Sequence, residues 1–125
     1  MLYFYIFVAI GGALGACTRL CINNYVGTLY NNFPLSTFIV NILGCLLIGF
    51  VIHYFSHKST VPLFLQAGIT VGFLGGLTTF SAFALEILLL LEKKQWYIGA
   101  SYLVLSNLFC VVAVYLGITI GRKLY

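Results

Sequence analysis

Four long apolar runs separated by short polar clusters account for nearly the whole chain. The first extends from about Leu2 to Ile22 and gives way to Asn23, Asn24, Asn31, Asn32 and Pro34. The second goes from Ser36 to Phe55 and stops at Ser56-His57-Lys58-Ser59-Thr60. The third starts at Val61-Pro62, continues to Leu91 and ends at Glu92-Lys93-Lys94-Gln95. The last covers Trp96 to Ile120, before Arg122-Lys123. A membrane-crossing helix needs about 20 apolar residues. The pattern therefore predicts one all-α transmembrane domain over residues 1–125, with spans near 2–22, 36–55, 61–91 and 96–120. Trp96, Tyr97, Tyr30, Tyr54 and Tyr125 fall near the predicted ends, where an aromatic belt belongs. No basic residue precedes the first apolar stretch, so it reads as a retained span rather than a cleaved signal.

Composition narrows the class further. Hydrophobic residues make up 62% of the chain and charged residues only 6%, far below the roughly 25% of a soluble domain. A soluble enzyme and a disordered tail are thereby set aside. So is a nucleic-acid module, because the net charge of +4 reflects scarce acids rather than plentiful bases. Orientation is normally read from the Lys/Arg bias between the two sides of the membrane. Lys58, Arg122 and Lys123 lie on the side of the N-terminus, and Arg19, Lys93 and Lys94 on the other. This balance has two readings, small-sample noise or insertion in both orientations, and charge alone does not choose between them.

Small residues recur at helical contact spacing: Gly11 and Gly15, Cys45 and Gly49, Gly68 and Gly72, Gly117 and Gly121. Such pairs let helix backbones approach closely in lipid and predict a tight, self-associating bundle. Cys17, Cys21, Cys45 and Cys110 sit inside predicted helices and read as small packing residues. His53 and His57 share a face, but two ligands do not make a zinc site. No cysteine or histidine pattern supports an enzyme.

The third run carries the candidate chemistry. From Val61 to Leu91 a continuous helix would measure about 46 Å, against a bilayer core of about 30 Å. Gly72-Phe73-Leu74-Gly75-Gly76-Leu77-Thr78-Thr79 is poor helix material, so a break is expected near 75–79. Unwound backbone at that depth survives only when buried in protein or coordinating something, and freed carbonyls can hold Na⁺. The competing reading is a glycine-rich helix packed tightly on a neighbour. Beyond the break, Phe80 and Phe83 are three apart, and aromatic rings have a positive edge suited to an anion. Thr79 and Ser81 supply hydroxyl donors. Glu86 is an acid well inside a span, either braced by hydrogen bonds or acting as an ion or proton site. Thr37 and Asn41 are one turn apart on the second span; Asn41 offers two N–H donors or serves as interhelical glue. Tyr102, Ser106 and Cys110 line one face of the fourth span, beside Asn107. Arg19 closes the first span, where it can draw anions toward a vestibule. This set, rich in neutral donors with one acid, favours passage of a small anion.

These blocks resemble the small fluoride channels of the CrcB/Fluc family, over essentially the whole chain. The carriers are Gly11-Gly12-x-x-Gly15-Ala16-x-x-Arg19, Pro34-x-Ser36-Thr37-x-x-Val40-Asn41-x-x-Gly44 and Gly72-Phe73-x-Gly75-Gly76-x-Thr78-Thr79-Phe80-Ser81-x-Phe83-x-x-Glu86. The resemblance implies a multi-pass protein of a prokaryotic inner or plasma membrane, assembled as an antiparallel, dual-topology homodimer. Each dimer would conduct F⁻ passively out of the cytoplasm through two pores. It further implies that Phe80 and Phe83 turn ring edges to F⁻, that Asn41 donates a hydrogen bond, and that Ser81 and the Tyr102, Ser106, Cys110 face form a polar track. A structural Na⁺ would sit at the dimer interface on the backbone carbonyls of Gly75 and Thr78. The chain departs from the family pattern at Ser36, in place of the commoner Gly, at Ala82, in place of a hydroxyl residue, and at Cys110, where a Ser is expected. A small multidrug transporter is the main rival, but it needs an acid in its first span, where this chain has Leu14 near the middle. A non-transporting assembly protein would explain the small-residue faces without Asn41, Phe80 and Phe83.

Overall fold

The computed structural model describes residues 1–27, 32–58 and 60–124; Tyr30, Asn31, Ser59 and Tyr125 lie outside the described residues. Lipid offers backbone groups no partners, so apolar runs of this length close their hydrogen bonds within helices. The first is α1 (Leu2–Val26) and the second α2 (Leu35–His57). The third crossing is composite: α3 (Leu63–Ala67), a π-helical stretch (Gly68–Leu74), α4 (Gly75–Leu77) and α5 (Phe80–Glu92). The fourth is α6 (Trp96–Leu124). Among the described residues, four helical stretches are long and apolar enough to cross a membrane.

Two helices run past their expected ends. In α1 the helix carries Asn23 and Asn24 and ends at Gly27, whose positive φ of 75° suits glycine and whose N–H returns to Asn23 O. In α6 the helix takes in Arg122 and Lys123, whose charges favour a helix C-terminus. Polar residues thus end the apolar runs before they end the helices.

Glycines bring the crossings together in two parallel pairs. A Cβ on Gly11 would overlap the Gly68 carbonyl, and one on Gly15 the Phe73 carbonyl. Reciprocally, a Cβ on Gly76 would meet Gly12 O at 2.6 Å, so α1 and the third crossing touch backbone to backbone. In the second pair, Gly49 of α2 is pressed on Val114 O, and Gly117 of α6 on Leu46 O. The pairs join through Val40, Leu74 and Leu77 in one apolar cluster, and through Phe83, Leu90 and Tyr102 in another.

Both readings of the glycine-rich segment hold in part. Gly72, Gly75 and Gly76 remain helical, Gly72 and Gly76 pack on α1, and the chain leaves the helix at the two threonines that follow. Thr78 has ψ 155° and Thr79 has φ −150°, ψ 120°, an extended step between α4 and α5. The π-helical turn before it has no counterpart in the sequence expectation. Gly15→Ala should cost about 1–3 kcal/mol of stability by overpacking. Gly12→Ala, whose added methyl first meets Gly72 O at an ordinary 3.9 Å, should stay within about 0.5 kcal/mol. Thermal unfolding in detergent separates the two, and equal losses would contradict this packing.

Candidate ion-conduction site

The extended step at Thr78–Thr79 removes backbone groups from the helix, and side chains take them up. Asn41 Nδ2 donates to Thr79 O (3.0 Å), and the Thr79 N–H donates to Asn41 Oδ1 (2.8 Å). One amide from α2 therefore closes both ends of the Thr79 peptide, leaving one N–H of Asn41 uncommitted by this pairing. Thr79 Oγ1 then caps α5 by accepting from the Ala82 N–H (3.2 Å) and lies 3.2 Å from Ser81 Oγ. The Thr79 and Ala82 amides are thus both taken by side chains. The Thr79 amide would otherwise bond Gly75 O, and the Ala82 amide Thr78 O.

Two hollows flank this step, and Thr79 lines both. A groove of about 360 Å³ runs along α2, the π stretch, α5 and α6; Asn41, Gly75, Thr78, Phe80, Phe83 and Ser106 are among its walls. The second hollow, about 410 Å³, is bounded by Arg19, Asn23, Thr79, Ser81, Ala82 and Leu85. Ser81 and Arg19 therefore stand together, apart from the Phe80 and Phe83 side of the step.

The two phenylalanines differ in environment. Phe80 is 75% exposed on this subunit, while Phe83 is 5% exposed. Their ring centroids lie 5.5 Å apart, and Phe83 meets the Tyr102 ring edge-on at 5.1 Å. Ser106 is 5% exposed and its Oγ, on the wall of the groove, has no hydrogen-bond partner among the described residues.

Glu86 is braced. Thr37 Oγ1 donates to Glu86 Oε1 and the Tyr102 hydroxyl to Glu86 Oε2, both at 2.7 Å. Tyr102 is fully buried and lines neither hollow. Its hydroxyl is spent on Glu86, so the face Tyr102, Ser106, Cys110 reaches the groove through the last two residues.

Some site residues escaped the sequence reading. Asn23 belongs to the polar cluster after the first apolar run, yet it lies on α1 beside Arg19, its buried Oδ1 without a partner among the described residues. Thr70 and Cys45 also face the groove. Their chemistry was visible, but nothing in local spacing placed them opposite Phe80.

Residues 6–118 match the family described as CrcB-like protein, Camphor Resistance (CrcB). The chain belongs to the CrcB family. The CrcB relatives include the Fluoride-specific ion channel FluC of Azotobacter vinelandii, 44% identical over 116 residues, 92% of this chain and 94% of the relative. The protein of the same name from Magnetococcus marinus is 40% identical over 116 residues, again 92% and 94%. The Fluoride-specific ion channel FluC 2 of Listeria monocytogenes is 35% identical over 121 residues, 97% of this chain and 92% of the relative. The break, Asn41 and both phenylalanines lie inside the CrcB match.

Proposed function

We propose that this chain is the subunit of a passive, fluoride-selective channel that lets F⁻ leave the cytoplasm. The observation that carries this is the convergence of Asn41, Phe80, Phe83 and Ser106 on one groove at the interrupted helix. The names of the relatives support it. Fluoride is small and strongly hydrated, so a pore must replace its water with donors that still release it. The free N–H of Asn41, the Ser106 hydroxyl and the positive edges of Phe80 and Phe83 are neutral donors of that kind. Arg19 and Ser81 in the second hollow offer a charged approach that raises the local anion concentration. No step needs an energy source: acid outside carries fluoride in as HF, which dissociates, and the anion leaves down its gradient.

The exposed Phe80 ring supports an assembly in which a second copy, inverted in the membrane, completes the groove. The even split of Lys and Arg is compatible with two-way insertion. The same inversion would bring Gly75 O and Thr78 O of two subunits together. The amides that would bond them in an unbroken helix are taken by side chains, and hard carbonyl oxygens suit Na⁺, so the donor chemistry fits a structural ion. When bound, that ion would join the two broken helices. The membrane is, on this reading, the inner or plasma membrane of a prokaryote.

Phe80→Ile and Phe83→Ile should each abolish F⁻ efflux from proteoliposomes while the protein still elutes as the wild-type assembly. Normal conduction in both variants would refute the role of the ring edges. Topology tags on the C-terminus should report both orientations in one cell; a single orientation would refute the inverted homodimer.

A further inference from the structure

Cys45 and Cys110 are free thiols on different helices, and neither has a part in the clamp at Thr79 or the brace at Glu86. Their placement follows from the α2–α6 crossing. The two helices run parallel, with Gly49 pressed on the Val114 carbonyl. One turn earlier on each helix stand Cys45 and Cys110, at the same level of the crossing. Both line the groove that holds Asn41, Phe80, Phe83 and Ser106.

The ligand chemistry of this pair is restrictive. Among the described residues no three His, Cys, Asp or Glu side chains gather to hold a metal. Two thiols without a third ligand cannot complete the tetrahedron that Zn²⁺ takes in structural sites. Sulfur is also a poor ligand for hard cations such as Mg²⁺ or Ca²⁺. A soft d¹⁰ cation that accepts two sulfurs in a line needs nothing more. Cys17 and Cys21, one turn apart on α1, are exposed and lie outside the groove.

We propose that Cys45 and Cys110 form a two-coordinate site for a soft, thiophilic cation of the Hg²⁺, Ag⁺ or Cu⁺ class, and that filling it stops ion passage through the groove. With HgCl₂ the exchange balances without redox change. Each thiol gives up its proton, two Hg–S bonds replace two Hg–Cl bonds, and two H⁺ and two Cl⁻ leave. Neutral HgCl₂ needs no charged pathway to reach an apolar wall. The bound metal occupies groove space one turn from Ser106 and places a polarisable bridge where an anion needs hydrogen-bond donors.

The blocking effect rests on the groove being the fluoride path; the site itself does not. The test uses the full-length protein carrying Cys17→Ser and Cys21→Ser, treated with HgCl₂ and washed with a monothiol. Mass spectrometry should find one mercury per chain, released by a dithiol, and F⁻ efflux should fall with it and return with its release. Adding Cys45→Ala or Cys110→Ser, each alone, should abolish both retention and inhibition, with elution as the wild-type assembly showing that the variant is folded. No mercury on the parent, or retention unchanged in both single variants, overturns the site. Mercury held by the pair with F⁻ efflux undiminished upholds the site and overturns the groove as the fluoride path.

Discussion

Within a bilayer, a peptide group that leaves its helix must find a partner, and here the Asn41 side chain provides one for Thr79. The 2.8 Å bond replaces the helical bond that the Thr79 N–H has lost, and the 3.0 Å bond gives its carbonyl a donor from α2. Without them, the Thr79 N–H would lie unsatisfied at membrane depth, at a cost of several kcal/mol, and Thr79 O would keep only the first bond of α5. The rest of the site depends on this pairing. It allows α5 to restart with Thr79 as its cap, which places Phe80, Ser81 and Phe83 on the two sides of the step. It also ties α2 to the third crossing at the level of the extended step.

A second constraint holds α5 against the other helix pair. Glu86 accepts from Thr37 on α2 and Tyr102 on α6, so one carboxylate joins three helices. Tyr102 in turn forms the floor on which Phe83 stands edge-on. An embedded acid is costly unless partnered, and its two hydroxyl donors supply the partnering here. Its position away from both hollows keeps its oxygens off the walls where an anion would pass. Glycine contacts in the two parallel pairs make these reaches short enough. The outer faces stay apolar, as with Leu14, Val104, Leu108 and Tyr115, and suit lipid or a second copy.

Much of this was legible along the chain because periodicity and composition are local signals. Apolar run length gave the four crossings, and glycines four apart marked the close faces of α1 and the third crossing. The segment from Gly72 to Thr79 announced an interruption but left its place open: packing on α1 holds the glycines helical, and the threonines break instead. The partners of the polar side chains were not legible. Asn41 lies 38 positions from Thr79, and Tyr102 lies 16 from Glu86; only tertiary packing brings them together. The same holds for Cys45 and Cys110, each readable alone as a small packing residue. The π-helical turn from Gly68 to Leu74 has no sequence signature comparable to a cap.

The central claim is that neutral donors gathered at a broken helix pass fluoride and little else. Its most direct test is anion efflux from proteoliposomes containing the unmodified protein, loaded in parallel with F⁻ or Cl⁻. The account predicts rapid F⁻ release with no measurable Cl⁻ release and no need for a proton gradient. Equal release of both anions, or no release of either, would contradict it.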